Sequence, residues 1–247
     1  MTKYLTKLNT LMQELQVPEI SHQVKEINQI VTAVAEKKVI ANQPARLGLL
    51  PDEAAELEKQ LTPAKQKQLK VVDHLLNSVR QYLSLKYGIW SLPNMQTANL
   101  IQKELNVESA LEIMAGNAYW SMALHETGIK AVATDSLEWA KTSATGRETF
   151  FPVEDLEAAA AIKKYAGADL ILCSWSPNFG HSDLDVVDCW RKYSPQSYLL
   201  FIGERDGATN TPEFWQEMQF KHSPAIRKIN QSFVSYDFIE EKIYEID

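Results

Sequence analysis

Cysteine is scarce, with two thiols, Cys173 and Cys189, in 247 residues, each set in an apolar stretch rather than in a spaced framework. Such a chain is held together by packing, and both thiols are expected reduced, as in a reducing compartment. Basic charge is also short. Lys and Arg number 25 against 32 Asp and Glu, a net charge of -7, and no basic block tracks a phosphate backbone, so duplex nucleic acid is not an expected partner. No apolar run approaches the roughly 20 residues of a membrane span. The first residues, Met1 to Gln13, mix Lys3 and Lys7 into their leucines instead of forming an apolar h-region, and the expectation is a cytoplasmic chain with no membrane partner. His22, His74, His125 and His222 share no ligand spacing, so no metal site is expected. Internal repeats and low-complexity tracts are likewise missing.

With 45% of its residues hydrophobic, the chain can bury a substantial core. The spacing of its apolar residues changes once, near residue 106. Before that point it is helical: Leu5, Leu8, Leu11, Met12 and Leu15, then Val24, Ile27, Ile30, Val31 and Val34. A third helix starts at Pro51-Asp52. A longer one is capped by Thr62 with Pro63 in its first position, keeps Leu69, Val72, Leu76, Val79 and Leu83 on one face, and stops at Gly88.

After Asn106, short apolar runs alternate with amphipathic stretches, the pattern of βα units around a parallel sheet. The expected strands are Ala110 to Ile113, Ala131 to Thr134, Phe150 to Val153, Leu170 to Ser174 and Tyr198 to Ile202. The expected helices are Trp120 to Glu126, Ser136 to Ala140, Leu156 to Tyr165 and Leu184 to Lys192. No helix signal follows Gln219, and Phe233 to Ile246 reads as the end of a closing hairpin. Charge divides in the same place: residues 1–105 carry +3 and residues 106–247 carry -10. The organisation expected is a helical extension over 1–95 and an α/β domain over 96–247.

From Leu111 to Trp120 the chain runs from a strand through small residues into a helix, where an α/β protein brings its backbone against a ligand. A nicotinamide dinucleotide site wants G-x-G-x-x-G, and Met114, Gly116 and Tyr119 stand in those places, which disfavours a pyrophosphate. What remains is Glu112 at the strand end, Gly116, and Asp135 at the end of the next strand, where a carboxylate can accept from both hydroxyls of a ribose. The implied ligand is adenosine without a pyrophosphate. A helix N-cap before Ser136-Leu137-Glu138 accounts for Asp135 as well.

The stretch LEIMAGNAYWSMALHETGIKAVATD resembles the first two motifs of class I S-adenosylmethionine-dependent methyltransferases, and FFPVED, GADLILCSWSPN and YLLFIGE follow in the same order. The resemblance covers residues 96–247. It implies an α/β, Rossmann-like methyltransferase sheet of parallel strands with a C-terminal antiparallel hairpin, and S-adenosylmethionine as cofactor. The cofactor residues it implies are Glu112, Ala115, Gly116, Asn117, Asp135, Ser136 and Ser174, with Glu154 or Asp155 near the adenine. The family's G-x-G-x-G is here Met114, Gly116 and Ala118, a bulkier loop. Ser174 also stands where amine-methylating members carry Asn or Asp, so amine methylation is not supported.

Methyl transfer needs alignment more than acid-base help, and the residues best placed for chemistry follow the fourth and fifth strands. His181 offers a general base, Trp175 a π-face for a sulfonium or planar substrate, and Glu204 a group reaching the substrate pocket. Each has a plainer reading, as a solvated loop residue, a packing residue and a surface turn respectively. The expected activity is methyl transfer to a small molecule or protein. The alternative is a non-catalytic S-adenosylmethionine-binding or scaffolding protein of the same fold. Tyr82, Tyr87, Trp90 and Leu92 lead from the helical half toward the crevice. That half is read either as a cap shaping the substrate site or as a packing bundle through which a homodimer forms.

Overall fold

The computed structural model describes residues 2–143 and 145–247. Five helices come first: α1 (Lys3–Leu15), α2 (Pro18–Ala35), α3 (Pro51–Gln60), α4 (Pro63–Leu76) and α5 (Val79–Tyr87). The Leu8, Leu11, Ile20, Val24, Ile27, Leu69, Val72 and Leu83 side chains fall on the inner stripes and are buried in one cluster, the outcome of 3.6-residue spacing. Thr62 caps α4 through its hydroxyl, and Gly88 ends α5 in a left-handed conformation at φ 69°. The expected long helix is broken in the middle. Asn77 and Ser78 turn their side chains back onto the Asp73 and His74 carbonyls, a local bonding that competes with the helix ladder. The cluster extends to Tyr119 and Tyr236, so the helical half shares packing with the rest of the chain.

Helix α6 (Met95–Leu105), capped by Asn94, leads into β1 (Ser109–Ile113), α7 (Tyr119–Glu126), β2 (Lys130–Asp135), α8 (Glu138–Thr142), β3 (Val153–Asp155) and α9 (Ala158–Lys164). Then come β4 (Leu170–Ser174), α10 (Ser182–Tyr193), β5 (Tyr198–Glu204), α11 (Pro212–Glu217), α12 (Pro224–Gln231) and β6 (Glu241–Glu245). The six strands lie in the order β3-β2-β1-β4-β5-β6, with β6 antiparallel to β5 and the others parallel. This is a Rossmann-like α/β sheet. The central strands are mostly apolar because both faces are covered, with Glu112 the buried exception in β1. Leu170, Leu172, Leu200 and Ile202 face α6, α7 and α12, whereas Leu111, Ile171, Cys173 and Phe201 face α9, α10 and α11.

Three expectations are corrected. The third strand is Val153–Asp155, not Phe150 to Val153, because the Phe150 ring packs on Tyr119 and Phe151 on His125. A helix, α12, does follow Gln219; Ser223 caps it and Pro224 opens it. Residues 233–240 form no strand, so the antiparallel element is the β5/β6 pair, joined through α11 and α12. On the outer edge of β6, Asn230 donates to the Ile243 carbonyl and accepts from its N–H (2.8 and 2.9 Å), Ser235 donates to the Glu241 carbonyl, and the Lys221 N–H donates to the Glu245 carbonyl. No helix among the described residues is long and apolar enough to cross a membrane.

Candidate functional site

The order of winding reverses between β1 and β4, and there the carboxyl ends of neighbouring strands open a crevice. Glu112 and the loop after β1 form one side, Ser174 and Trp175 at the end of β4 another, and Gly88 to Ser91 from the helical half close the top. Met114, Gly116 and Ala118 have φ of 51°, 50° and 56°. The backbone thus takes a left-handed turn at all three places of G-x-G-x-G although two side chains there are not glycine. Each such non-glycine position costs roughly 1–2 kcal/mol, and the surroundings enforce it. The Ala115 N–H donates to the Thr134 carbonyl at 3.0 Å, and the Gly116 N–H to Asp135 Oδ2 at 2.9 Å.

Asp135 is a staple between two loops. Its other oxygen, Oδ1, accepts from the Leu137 N–H at 2.8 Å and sets the turn into α8, whose N-cap position is Leu137 rather than Asp135. Asp135→Asn leaves one acceptor where two donors converge, and it is expected to lower stability by roughly 1.5–3 kcal/mol. Urea unfolding measures that; an unchanged midpoint would show that the loops do not depend on the carboxylate.

Glu112 is buried in the crevice wall. Its Oε2 accepts from the Ser121 N–H and hydroxyl at 2.7 and 2.5 Å, and no hydrogen bond reaches Oε1 among the described residues. Burial pushes its carboxyl up to about 7, against the pull of the two Ser121 bonds. Asn117, also buried, donates its amide to the Tyr87 carbonyl, and its Oδ1 has no partner. A buried acceptor without a donor costs free energy. The crevice therefore holds two acceptors in search of a donor, and no Lys or Arg lines it.

Of the other residues expected at the site, Ala115 and Ser174 line the crevice. Trp175 lines it with φ 55°, its indole N–H donating to Glu241 Oε1 at 2.8 Å and its ring stacked on Trp90 at 5.4 Å. Asp155 lies beside Asp135 in register on β3, and Ser136 follows Asp135 on the loop; all three stand outside the lining, which Asp135 meets only through the Gly116 N–H. Three residues are not gathered there. Glu154 is bound by Lys164 and Tyr165 at 2.5 and 2.6 Å, which hold its carboxyl below its ordinary value. His181 is an exposed residue at the N-terminus of α10. Glu204 accepts from the Ala208 and Glu240 N–H groups and so fixes the turn after β5.

Two features have no counterpart in the sequence reading. Trp139 of α8 lays its indole over the crevice loop: a methyl group added at Gly88 or Gly146 would fall 2.7 or 3.0 Å from it. Arg80 of α5 is buried, donating to both Asp237 oxygens at 2.7 and 3.1 Å, to Glu241 Oε2 at 2.8 Å and to the Trp90 carbonyl at 2.6 Å. Burial opposes its charge, but Glu241, Tyr236 and Asp237 more than compensate and hold the guanidinium above its ordinary value.

An adenosyl sulfonium compound suits the chemistry of this crevice, because the free acceptors of Glu112 and Asn117 match an ammonium donor and Gly116 leaves the loop open beside them. The volume is small for it: the crevice encloses about 110 Å³, below the roughly 300–1,000 Å³ of small-molecule pockets, and the half-exposed Trp139 indole is one of its walls.

No protein family and no curated protein sequence matches the chain. Solved structures do. The mitomycin 7-O-methyltransferase MmcR is similar at 14% identity over 97% of this chain and 71% of its own, with a TM-score of 0.40. Human N-acetylserotonin methyltransferase in complex with SAM is similar at 12% identity over 89% and 66%, with a TM-score of 0.42. A putative S-adenosylmethionine-dependent methyltransferase from Listeria monocytogenes is similar at 12% identity over 62% and 97%, with a TM-score of 0.37.

Proposed function

We propose that the chain is a class I S-adenosylmethionine-dependent methyltransferase that binds its cofactor in the crevice between β1 and β4. The observation that carries this reading is the buried, unpartnered Asn117 Oδ1 beside Glu112 Oε1, to which no described residue donates, in a crevice whose lining has one carboxylate and no cation. Such a site favours a cationic ligand and repels a pyrophosphate, which tells against a dinucleotide-dependent oxidoreductase.

Each residue has a distinct part. Glu112 and Asn117 take the donors of the ligand's amino-acid end. Gly116 lets the backbone approach, and Asp135 holds that backbone while offering its remaining lone pairs to ribose hydroxyls. The half-exposed Trp90 indole attracts a sulfonium, whereas the Trp175 ring is already engaged by Trp90 and the Arg80 guanidinium. When bound, S-adenosylmethionine would supply an electrophilic methyl for an in-line displacement by the acceptor's lone pair, with the sulfur as leaving group and the acceptor's proton released to solvent. Alignment of acceptor and methyl is the main contribution asked of the protein.

Calorimetry with S-adenosylmethionine and S-adenosylhomocysteine tests the reading. Saturable heat is expected with both, and Trp139→Ala should tighten binding by the factor by which the closed crevice dominates, about tenfold for a ten-to-one closed-to-open ratio. Absence of binding at millimolar ligand in both proteins would overturn it. Binding without methylation of any offered acceptor would favour the scaffolding alternative.

A further inference from the structure

A second cavity lies against the first. It encloses about 600 Å³ between the end of α4, α5 and the segment 237–239, within the usual range for a small-molecule site. The stacked rings of Trp90 and Trp175 line both spaces, so a molecule in the second cavity touches the same indoles as one in the crevice. Its other walls include Leu85 and Phe238, which are 73% and 67% exposed. Large apolar side chains left in water around one concavity mark a binding site rather than a core.

The charge of the occupant follows from Arg80. It is the one Lys or Arg on this wall, and its donors are committed to Asp237, Glu241 and the Trp90 carbonyl. An anionic ligand finds no free counter-charge, and a cationic one finds Asp237 already paired. Of the uncharged polar residues in the lining, Asn77, Ser78 and Ser84 already donate to backbone carbonyls, which leaves His74 and Gln81 to orient a single hydrogen-bonding substituent. Flat indole faces and aliphatic walls accommodate a ring system, whose stacking adds to the area buried.

We infer that this cavity is the methyl-acceptor site and that the acceptor is a neutral, flat aromatic molecule carrying one polar substituent. The inference rests on the methyltransferase reading for the word acceptor, and on the cavity alone for the ligand class.

The test uses 2-naphthol and naphthalene-2-sulfonate, two probes of the same ring system and different charge, titrated calorimetrically into the full chain. One saturable site is expected for 2-naphthol, with the sulfonate weaker by at least about tenfold. Leu85→Asp changes an exposed side chain without touching the core and should weaken 2-naphthol by about tenfold or more. Phe179→Ser, as exposed but outside the cavity, should leave it unchanged. No saturable 2-naphthol binding, equal affinity for the sulfonate, or indifference to Leu85→Asp each overturns the inference. S-adenosylmethionine titrated into the same protein separates the two failures. Loss of its heat alone overturns the methyltransferase reading, and loss of the 2-naphthol heat alone overturns the acceptor cavity.

Discussion

Arg80→Met is expected to destabilise the chain by about 3–5 kcal/mol, a large part of the roughly 5–15 kcal/mol that holds a domain folded. Methionine fills the space but leaves the Asp237 and Glu241 carboxylates buried without the guanidinium that donates to both. Their desolvation is then uncompensated, and the loss exceeds what the pairs themselves contribute. Arg80→Lys should recover little, because one ammonium cannot reproduce a planar fork that serves two carboxylates and a carbonyl. Neutralising the partners in the triple variant Arg80→Met, Asp237→Asn, Glu241→Gln should return most of the stability. Urea unfolding followed by tryptophan fluorescence checks all three. A single variant as stable as the parent would mean that the carboxylates are solvated after all.

Glu112→Gln should move stability and ligand binding in opposite directions. The folded chain holds this proton up to about pH 7, whereas the unfolded chain releases it near the ordinary carboxylate value. Between those two values the folded state binds more protons, so stability falls as pH rises through the window and is level above it. The total is about 3 kcal/mol for a shift of this size. Glutamine is neutral throughout and still accepts from the Ser121 N–H, so above pH 7 the variant should gain much of that amount and lose the pH dependence. Cation binding requires the ionised carboxylate. In the parent, affinity for S-adenosylmethionine should fall by roughly 30-fold from pH 8 to pH 5.5, and in Glu112→Gln it should be weak at both, by about 100-fold at pH 8 if one charge-assisted bond is lost. Unfolding and calorimetry at the two pH values decide the matter; a pH-independent parent affinity would remove Glu112 from the site.

The sheet was legible in the sequence because β4 and β5 are apolar on both faces and β1 nearly so, and a run such as Leu170 to Cys173 has few other fates. β3 was misplaced because its Val-Glu-Asp is a polar edge, while the apolar Phe150 and Phe151 just before it are spent on packing with Tyr119 and His125. In α12, the Ser223-Pro224 start was a usable signal, though the basic residues of a short, half-exposed helix masked its apolar stripe. At the crevice, Glu112 and Gly116 lie in the wall formed by the end of β1 and its loop, in the order and spacing of the sequence, and Asp135 bonds that loop from the next strand. That Met114 and Ala118 would adopt glycine's left-handed conformation could not be read there, since the loop between them is held by partners distant in sequence, the Thr134 carbonyl on Ala115 and Asp135 on Gly116. Trp139 and the Arg80 cluster were also invisible. The partners of Arg80 lie 157 and 161 residues away, and nothing local to Arg80, Asp237 or Glu241 signals the other two.

The capped edge of β6 bears on how the chain behaves in company. An open sheet ends in a row of backbone donors and acceptors that another chain can extend, the usual route to edge-to-edge aggregation and strand exchange. Here the outward groups of Glu241, Ile243 and Glu245 are answered by Ser235, Asn230 and Lys221, so Asn230 serves as a one-residue substitute for a seventh strand. The opposite edge is β3, three residues long, entered through Pro152, and too short to template a partner. Crowded copies of this protein therefore have little backbone to offer one another, and Asn230→Ala, by reopening the middle of β6, is the single change most apt to turn a well-behaved solution into one that scatters light.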